Sequence, residues 1–199
     1  MEVDPSTLPS GIPLPTTYPM VTFRYIEHLW IAGLKEEAFQ QLHHFTHVSL
    51  HPNNIQILVQ DEIQQQQQRD ELNKLLSRCY LKLGEWQENL NGITEESIPM
   101  ILQYYYAATE RDRDWYKGWH AWAYMNFEAV HFYKAQVQQL ESQNENVGSS
   151  PINTLKPMKT RYIRDYCVPA IQGFFKSVSL AHGSSLQVNY FYHQFYNFN

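Results

Sequence analysis

The sequence predicts an all-α fold, a stack of helical hairpins. Three observations carry that prediction. Apolar residues recur at three- and four-residue steps along most of the chain, the period of a helix with one buried face. Glycines fall where such runs change, at Gly33 and Gly84, and glycine closes a helix because it enters the left-handed region without steric cost. No stretch of alternating residues is flanked by a hairpin turn.

The elements follow in order. Residues 1–19 contain Pro5, Pro9, Pro13, Pro15 and Pro19, a spacing that forbids a helix and favours an extended lead-in. From Val21 the pattern changes. Phe23, Ile26, Trp30 and Leu34 define one helix face, and Gly33 ends that helix. Ala38, Leu42, Phe45 and Val48 continue at once as a second helix, which Pro52 stops. A third helix starts near Asp61 and carries Leu72, Leu75, Leu76, Cys79 and Leu83 to Gly84. Trp86 and Leu90 then begin its partner, closed by the Asn91-Gly92 turn. Thr94-Glu95-Glu96-Ser97 offers a cap and an acidic first turn for a helix through Met100 and Tyr104 to Ala108. Asp112 or Asp114 caps a long helix with Trp115, Trp119, Trp122 and Ala129.

Residues 20–135 thus read as helical repeats. Residues 136–160 turn polar and read as a flexible loop. Tyr162, Tyr166, Ile171, Phe174, Phe175 and Val178 mark a further helix within 161–187, kinked at Pro169. Gly33 and Gly84 lie 51 residues apart, against the roughly 34 of a regular tetratricopeptide. The fold class is therefore a degenerate tetratricopeptide/HEAT-like α-solenoid fragment.

Composition narrows the function. The 199 residues are 43% hydrophobic and 18% charged, enough for a core, with a net charge of -5. That charge argues against nucleic-acid binding, which needs a basic face to displace counterions. Two cysteines, Cys79 and Cys167, sit in apolar stretches and read as reduced core residues of a cytosolic protein. The start is acidic and proline-rich rather than a leader, and no apolar run approaches the roughly 18 residues that cross a bilayer. The expectation is a soluble protein.

Most catalytic readings fail on spacing. The 8 glycines are scattered, so no loop presents clustered backbone amides to a phosphate. Kinase catalytic and metal-binding triplets are missing, and so is a nucleophile elbow. His43, His47 and His51 stand at four-residue steps beside His44, yet no cysteine or carboxylate completes a tetrahedron. They read as a solvated face. The glutamines at 64–68 read the same way, and the stripe of Trp115, Trp119 and Trp122 reads as core. One constellation is left. Arg78 and Lys82 are an i, i+4 pair on one helix face, and Lys117 lies on a later helix. Cations converging from separate helices suit a multiply charged anion, while spacing alone favours a solvated face.

Three stretches carry a resemblance. LLSRCYLKLGEWQENL, ILQYYYAATERDRDWYKGWHAWAYMNFEAV and VPAIQGFFKSVSL resemble the C-terminal part of the FAT domain of target-of-rapamycin (TOR) kinases. VTFRYIEHLW followed by AFQQLHHF is similar too. The likeness spans most of residues 20–187, with the polar loop falling where the family carries a variable insertion. It implies a non-catalytic helical scaffold that supports the kinase domain of the same parent chain, with other TOR-complex subunits as partners, in nutrient and growth signalling. It implies a cytoplasmic protein with peripheral association to lysosomal and other endomembranes, and the nucleus as a further compartment. It implies inositol hexakisphosphate as a structural ligand, because Arg78, Lys82 and Lys117 match family residues that contact it. Other ligating lysines of that pocket fall outside this stretch.

Two departures accompany the resemblance. The family's later helices, rapamycin-binding bundle and kinase lobes are absent. The likeness also stops after Leu186-Gln187, and VNYFYHQFYNFN, residues 188–199, reads as an aberrant tail, as an in-frame read-through of a splice donor would produce. The reading is a scaffold slice. Its alternative is a free-standing tetratricopeptide-like adaptor for peptides, which a groove-facing row of polar and basic side chains would favour.

Overall fold

The computed structural model describes residues 19–50, 61–145 and 160–181. The lead-in over 1–18, Pro52, His51, the polar residues 146–159 and the tail 188–199 lie outside the described residues. Every element assigned among them is helical. The chain divides into two compact units, Met1–Gln56 and Ile57–Asn199.

The first unit is a hairpin of α1 (Pro19–Ile31) and α2 (Lys35–His44). Phe23, Ile26 and Leu29 of α1 are buried, as are Ala38 and Leu42 of α2. Gly33 has φ +92°. Its amide donates to Trp30 O at 3.1 Å and the Leu34 amide donates to Leu29 O at 3.1 Å, the paired bonds of a Schellman ending. Beyond α2 the chain widens into a π-helical turn over Phe45–Ser49, where the Leu50 amide donates to Phe45 O at 2.9 Å. That extra residue shifts the buried face. Phe45 is buried as the spacing predicts, but so are Thr46 and Leu50, while Val48 is exposed, so Leu50 takes the inward place expected of Val48.

Among the described residues the second unit holds four long helices. α3 runs Glu62–Asn91, α4 Ser97–Arg111, α5 Tyr116–Glu145 and α6 Val168–Leu180, with a π-helical turn Ile163–Cys167 leading into α6. α3 packs on α4, α4 on α5, and α5 on α6, the serial stacking of a solenoid. Asp61 caps α3 by accepting from the Ile63 amide at 3.1 Å. Gly92, at φ +66°, ends it. Thr94 and Ser97 then exchange bonds before α4: the Ser97 amide donates to Thr94 Oγ1 at 3.1 Å and the Thr94 amide to Ser97 Oγ at 2.8 Å. That reciprocity is the logic of a capping box, with serine in the usual glutamate's place.

Three sequence expectations need correction. Gly84 does not end a helix; α3 passes straight through it to Asn91. Its missing side chain serves packing instead, since a β-carbon there would stand 2.6 Å from Tyr105 Cδ1. The polar stretch does not begin as a loop either, because α5 continues to Glu145; glutamines and glutamates are good helix formers. Finally, Pro169 stands in a continuous helical run just after the π-helical turn Ile163–Cys167, so the change of winding lies before the proline rather than at it.

The core gathers Leu81 of α3, Ile98, Ile101, Tyr105 and Ala108 of α4, and Met125 and Ala129 of α5. Small residues let each pair close. Ser77 Oγ donates to Ala108 O at 2.8 Å between α3 and α4, and Ser177 Oγ donates to Tyr116 O at 3.2 Å between α6 and α5. A β-carbon on Gly173 of α6 would lie 2.8 Å from Ala123 Cβ and 2.9 Å from Trp122 Cε3. A glycine and a serine four to seven residues apart on α3 and α6 thus seat the neighbouring helix at van der Waals distance.

Candidate functional site

Arg78 and Lys82 project from the exposed side of α3. Leu75, Cys79, Leu83 and Trp86, all buried, run along one flank of that line and Ser77 and Leu81 along the other, which leaves one narrow polar sector along the helix. Lys74 lies one turn before Arg78 in that sector and is exposed, so the basic line has three members at four-residue steps. The same spacing that singled out Arg78 and Lys82 could have found it. Lys82 is half-buried and pairs with Glu85 at 2.7 Å. An ion pair this open to solvent is worth little, about 0–1 kcal/mol, and an incoming polyanion competes with Glu85 for the same ammonium.

Lys117 is exposed in the first turn of α5. The Ser77–Ala108 bond sets the end of α4 beside the middle of α3. Gly118 then packs against Thr109, whose amide nitrogen would be 3.7 Å from a β-carbon there. These ties place the start of α5 at the same end of the stack as Ser77 and Arg78, one helix further along. The three cations therefore come from two helices two positions apart in the stack, joined by α4. Such an array can neutralise an extended, highly charged anion; it offers no nucleophile and no general base.

The other candidates resolve as structure. His43 and His47 are exposed and stacked, with ring centroids 4.2 Å apart. Partial burial first, then the neighbouring His47 and His44, hold the His43 pKa below the ordinary imidazole value. Among the described residues no group of three metal-ligating side chains comes together. Gln64, Gln66, Gln67 and Gln68 are exposed on α3 and Gln65 half-buried, as a solvated face requires. No disulfide joins Cys79, which is buried, to Cys167, which is half-buried. No helix among the described residues is long and apolar enough to cross a membrane.

The tryptophan stripe is corrected in part. Trp115, Trp119 and Trp122 are each half-buried, and the fully buried line of α5 is Ala123, Met125 and Ala129. Trp115 and Trp122 pack on the edge of the core. Trp119 meets Trp122 edge-on at 6.0 Å, and its Nε1 donates to Arg113 O at 2.9 Å. Sequence spacing identified the helix but not which side faces inward, because large aromatics seal the margins while small residues occupy the closest approach.

A serial stack of antiparallel helices, with charge confined to its surface, defines a helical-repeat fold. The family model for the FAT domain matches residues 2–189, and the chain belongs to that family. It is similar to the serine/threonine-protein kinase mTor of Drosophila melanogaster, 37% identical over 185 residues, covering 92% of this chain and 7% of that kinase. It is also similar to the serine/threonine-protein kinase TOR2 of Saccharomyces cerevisiae, 34% identical over 194 residues, covering 85% of this chain and 8% of that kinase. With tor1 of Schizosaccharomyces pombe it shares 33% identity over 174 residues, 85% of this chain and 7% of the relative. The chain thus spans less than a tenth of the length of these curated relatives.

Proposed function

We propose that this chain is a non-catalytic scaffold segment of a TOR-type serine/threonine kinase, which supports the kinase domain of its parent and the assembly of TOR complexes in nutrient and growth signalling. The observation that carries the reading is the FAT match over residues 2–189 together with the serial packing of α3 on α4, α4 on α5 and α5 on α6. A stack whose pairs close on glycine and serine resists bending, and a rigid brace is what a kinase domain needs from a neighbouring element. Arg78, Lys82 and Lys117 serve the same purpose as part of a pocket for inositol hexakisphosphate, a structural ligand. Its several phosphates bridge α3 and α5, and the bond strengthens with each converging cation. The parent works in the cytoplasm and at the surfaces of lysosomes and other endomembranes, carried there by its complex.

Two experiments test this. Purified chain incubated with labelled ATP and a generic protein substrate gives no transfer above a buffer control; transfer that follows the protein through purification refutes the non-catalytic assignment. Inositol hexakisphosphate raises the melting temperature of the full-length kinase, and charge reversal at Arg78 and Lys82 together abolishes that rise. An undiminished rise in the double variant returns these residues to a solvated face.

A further inference from the structure

A second site lies at the other end of the stack, on residues the scaffold role does not use. The α3–α4 connection, α5 and the turn before α6 border a cavity of about 120 Å3, open to solvent on one side and lined by Glu95, Tyr133, Val137, Arg161, Tyr162 and Tyr166. Tyr133 and Tyr166 form one wall, their rings nearly parallel at 18° with centroids 5.2 Å apart. Val137 is buried and gives the floor an apolar surface. Glu95 brings a negative charge from the connection, and Arg161 brings a positive one from the facing segment.

Arg161 is held loosely. Asp165 takes its close partner from Arg164, with Nε to Oδ1 at 2.7 Å, and leaves Arg161 at 3.6 Å, beyond a good hydrogen bond. The Arg161 side chain is 78% exposed, so its planar fork can turn to meet a carboxylate. Tyr133 lies within reach of both charges. Burial first, then its bond with Tyr166 and the charge of Glu95, push the Tyr133 pKa up, while Arg161 opposes them. Tyr133 thus keeps its proton at neutral pH.

A cation alone would meet Arg161, and an anion alone would meet Glu95. We propose that this cavity binds a small zwitterion, a molecule carrying an ammonium group and a carboxylate on a short apolar frame. Arg161 takes the carboxylate as a fork. Glu95 and the faces of the phenol rings take the ammonium, and Val137 meets the frame. The volume sets the scale: a cavity of roughly 150 Å3 holds benzene, so this one admits a frame of about five carbons. A short-chain free amino acid fits that description.

The test uses the 199-residue chain and three probes of one shape: valine, isobutylamine (valine without its carboxylate) and 3-methylbutanoate (valine without its amine). Calorimetric titration shows saturable one-to-one binding of valine with Kd near 1 mM or below, a modest affinity. Isobutylamine and 3-methylbutanoate each bind at least tenfold more weakly. Arg161→Gln weakens valine at least tenfold and leaves isobutylamine unchanged, and Glu95→Gln weakens valine and leaves 3-methylbutanoate unchanged. Both side chains are exposed, and an unaltered melting curve shows that each variant remains folded. Absence of valine binding overturns the proposal. So does amine binding as tight as valine, or valine binding that survives both substitutions.

Discussion

Gly84 of α3 lies under the ring of Tyr105 of α4, so close that a β-carbon on Gly84 would stand 2.6 Å from Tyr105 Cδ1. Tyr105 is 4% exposed and has no room to withdraw. In an exposed helix Gly→Ala stabilises by about 1 kcal/mol. Here the overpacking term, about 1–3 kcal/mol, has the opposite sign and prevails. Gly84→Ala is expected to lower the urea midpoint at unchanged slope. A raised midpoint shows that α3 and α4 are not packed this closely.

The two neighbouring tryptophans separate by the same reasoning. Trp122 touches the core, Tyr106 and the face of α6 beside Gly173. Trp122→Ala is expected to cost about 3 kcal/mol, the lower end for a large aromatic. Trp119 rests its edge on Trp122 and donates one hydrogen bond to Arg113 O, so Trp119→Ala is expected to cost about 1–2 kcal/mol. Equal losses in chemical unfolding contradict the assignment of Trp122 to the core margin and Trp119 to the surface.

Stability against pH carries two slopes of opposite sign. Glu88 is half-buried, and its pKa is raised by burial first and then by Glu128, against a lowering bond with Tyr105. The native state therefore binds its proton before the unfolded chain does, and stability gains as pH falls through the native value toward the ordinary carboxylate one. His120, beside Tyr124 and Phe174, has its pKa lowered by burial. The unfolded chain then binds that proton first, and stability falls as pH drops below the ordinary imidazole value of 6.5. Glu88→Gln is expected to remove the first slope and His120→Gln to reduce the second, to which His43, its pKa also lowered, adds. Unfolding curves that keep the wild-type pH dependence in either variant contradict the corresponding shift.

Periodicity made the helices legible because each has an apolar face at helical steps. Gly33 and Gly92 were readable as endings, since both adopt positive φ. Gly84 was not: a glycine that admits a neighbouring ring and a glycine that ends a helix look alike until the neighbour is placed. The π-helical turns at Phe45–Ser49 and Ile163–Cys167 were hidden for a related reason, because one extra residue per turn leaves the residue types unchanged and alters only which of them face inward. Arg78, Lys82 and Lys117 could be named from spacing and resemblance. The cavity at Glu95, Tyr133 and Arg161 could not, since its walls come from three elements remote in sequence.

If this segment braces a kinase through close helix packing, loosening the packing at Gly173 releases the brace. A β-carbon there meets Ala123 and Trp122, so Gly173→Leu forces α5 and α6 apart, while Arg113→Ala, on an exposed side chain, leaves the stack closed. The measurement is kinase activity per mole, alongside melting temperature, of a full-length TOR-type kinase carrying each change. Gly173→Leu is predicted to lower both together and Arg113→Ala to change neither. A kinase that melts earlier with Gly173→Leu yet phosphorylates its substrate at the unaltered rate contradicts the bracing role.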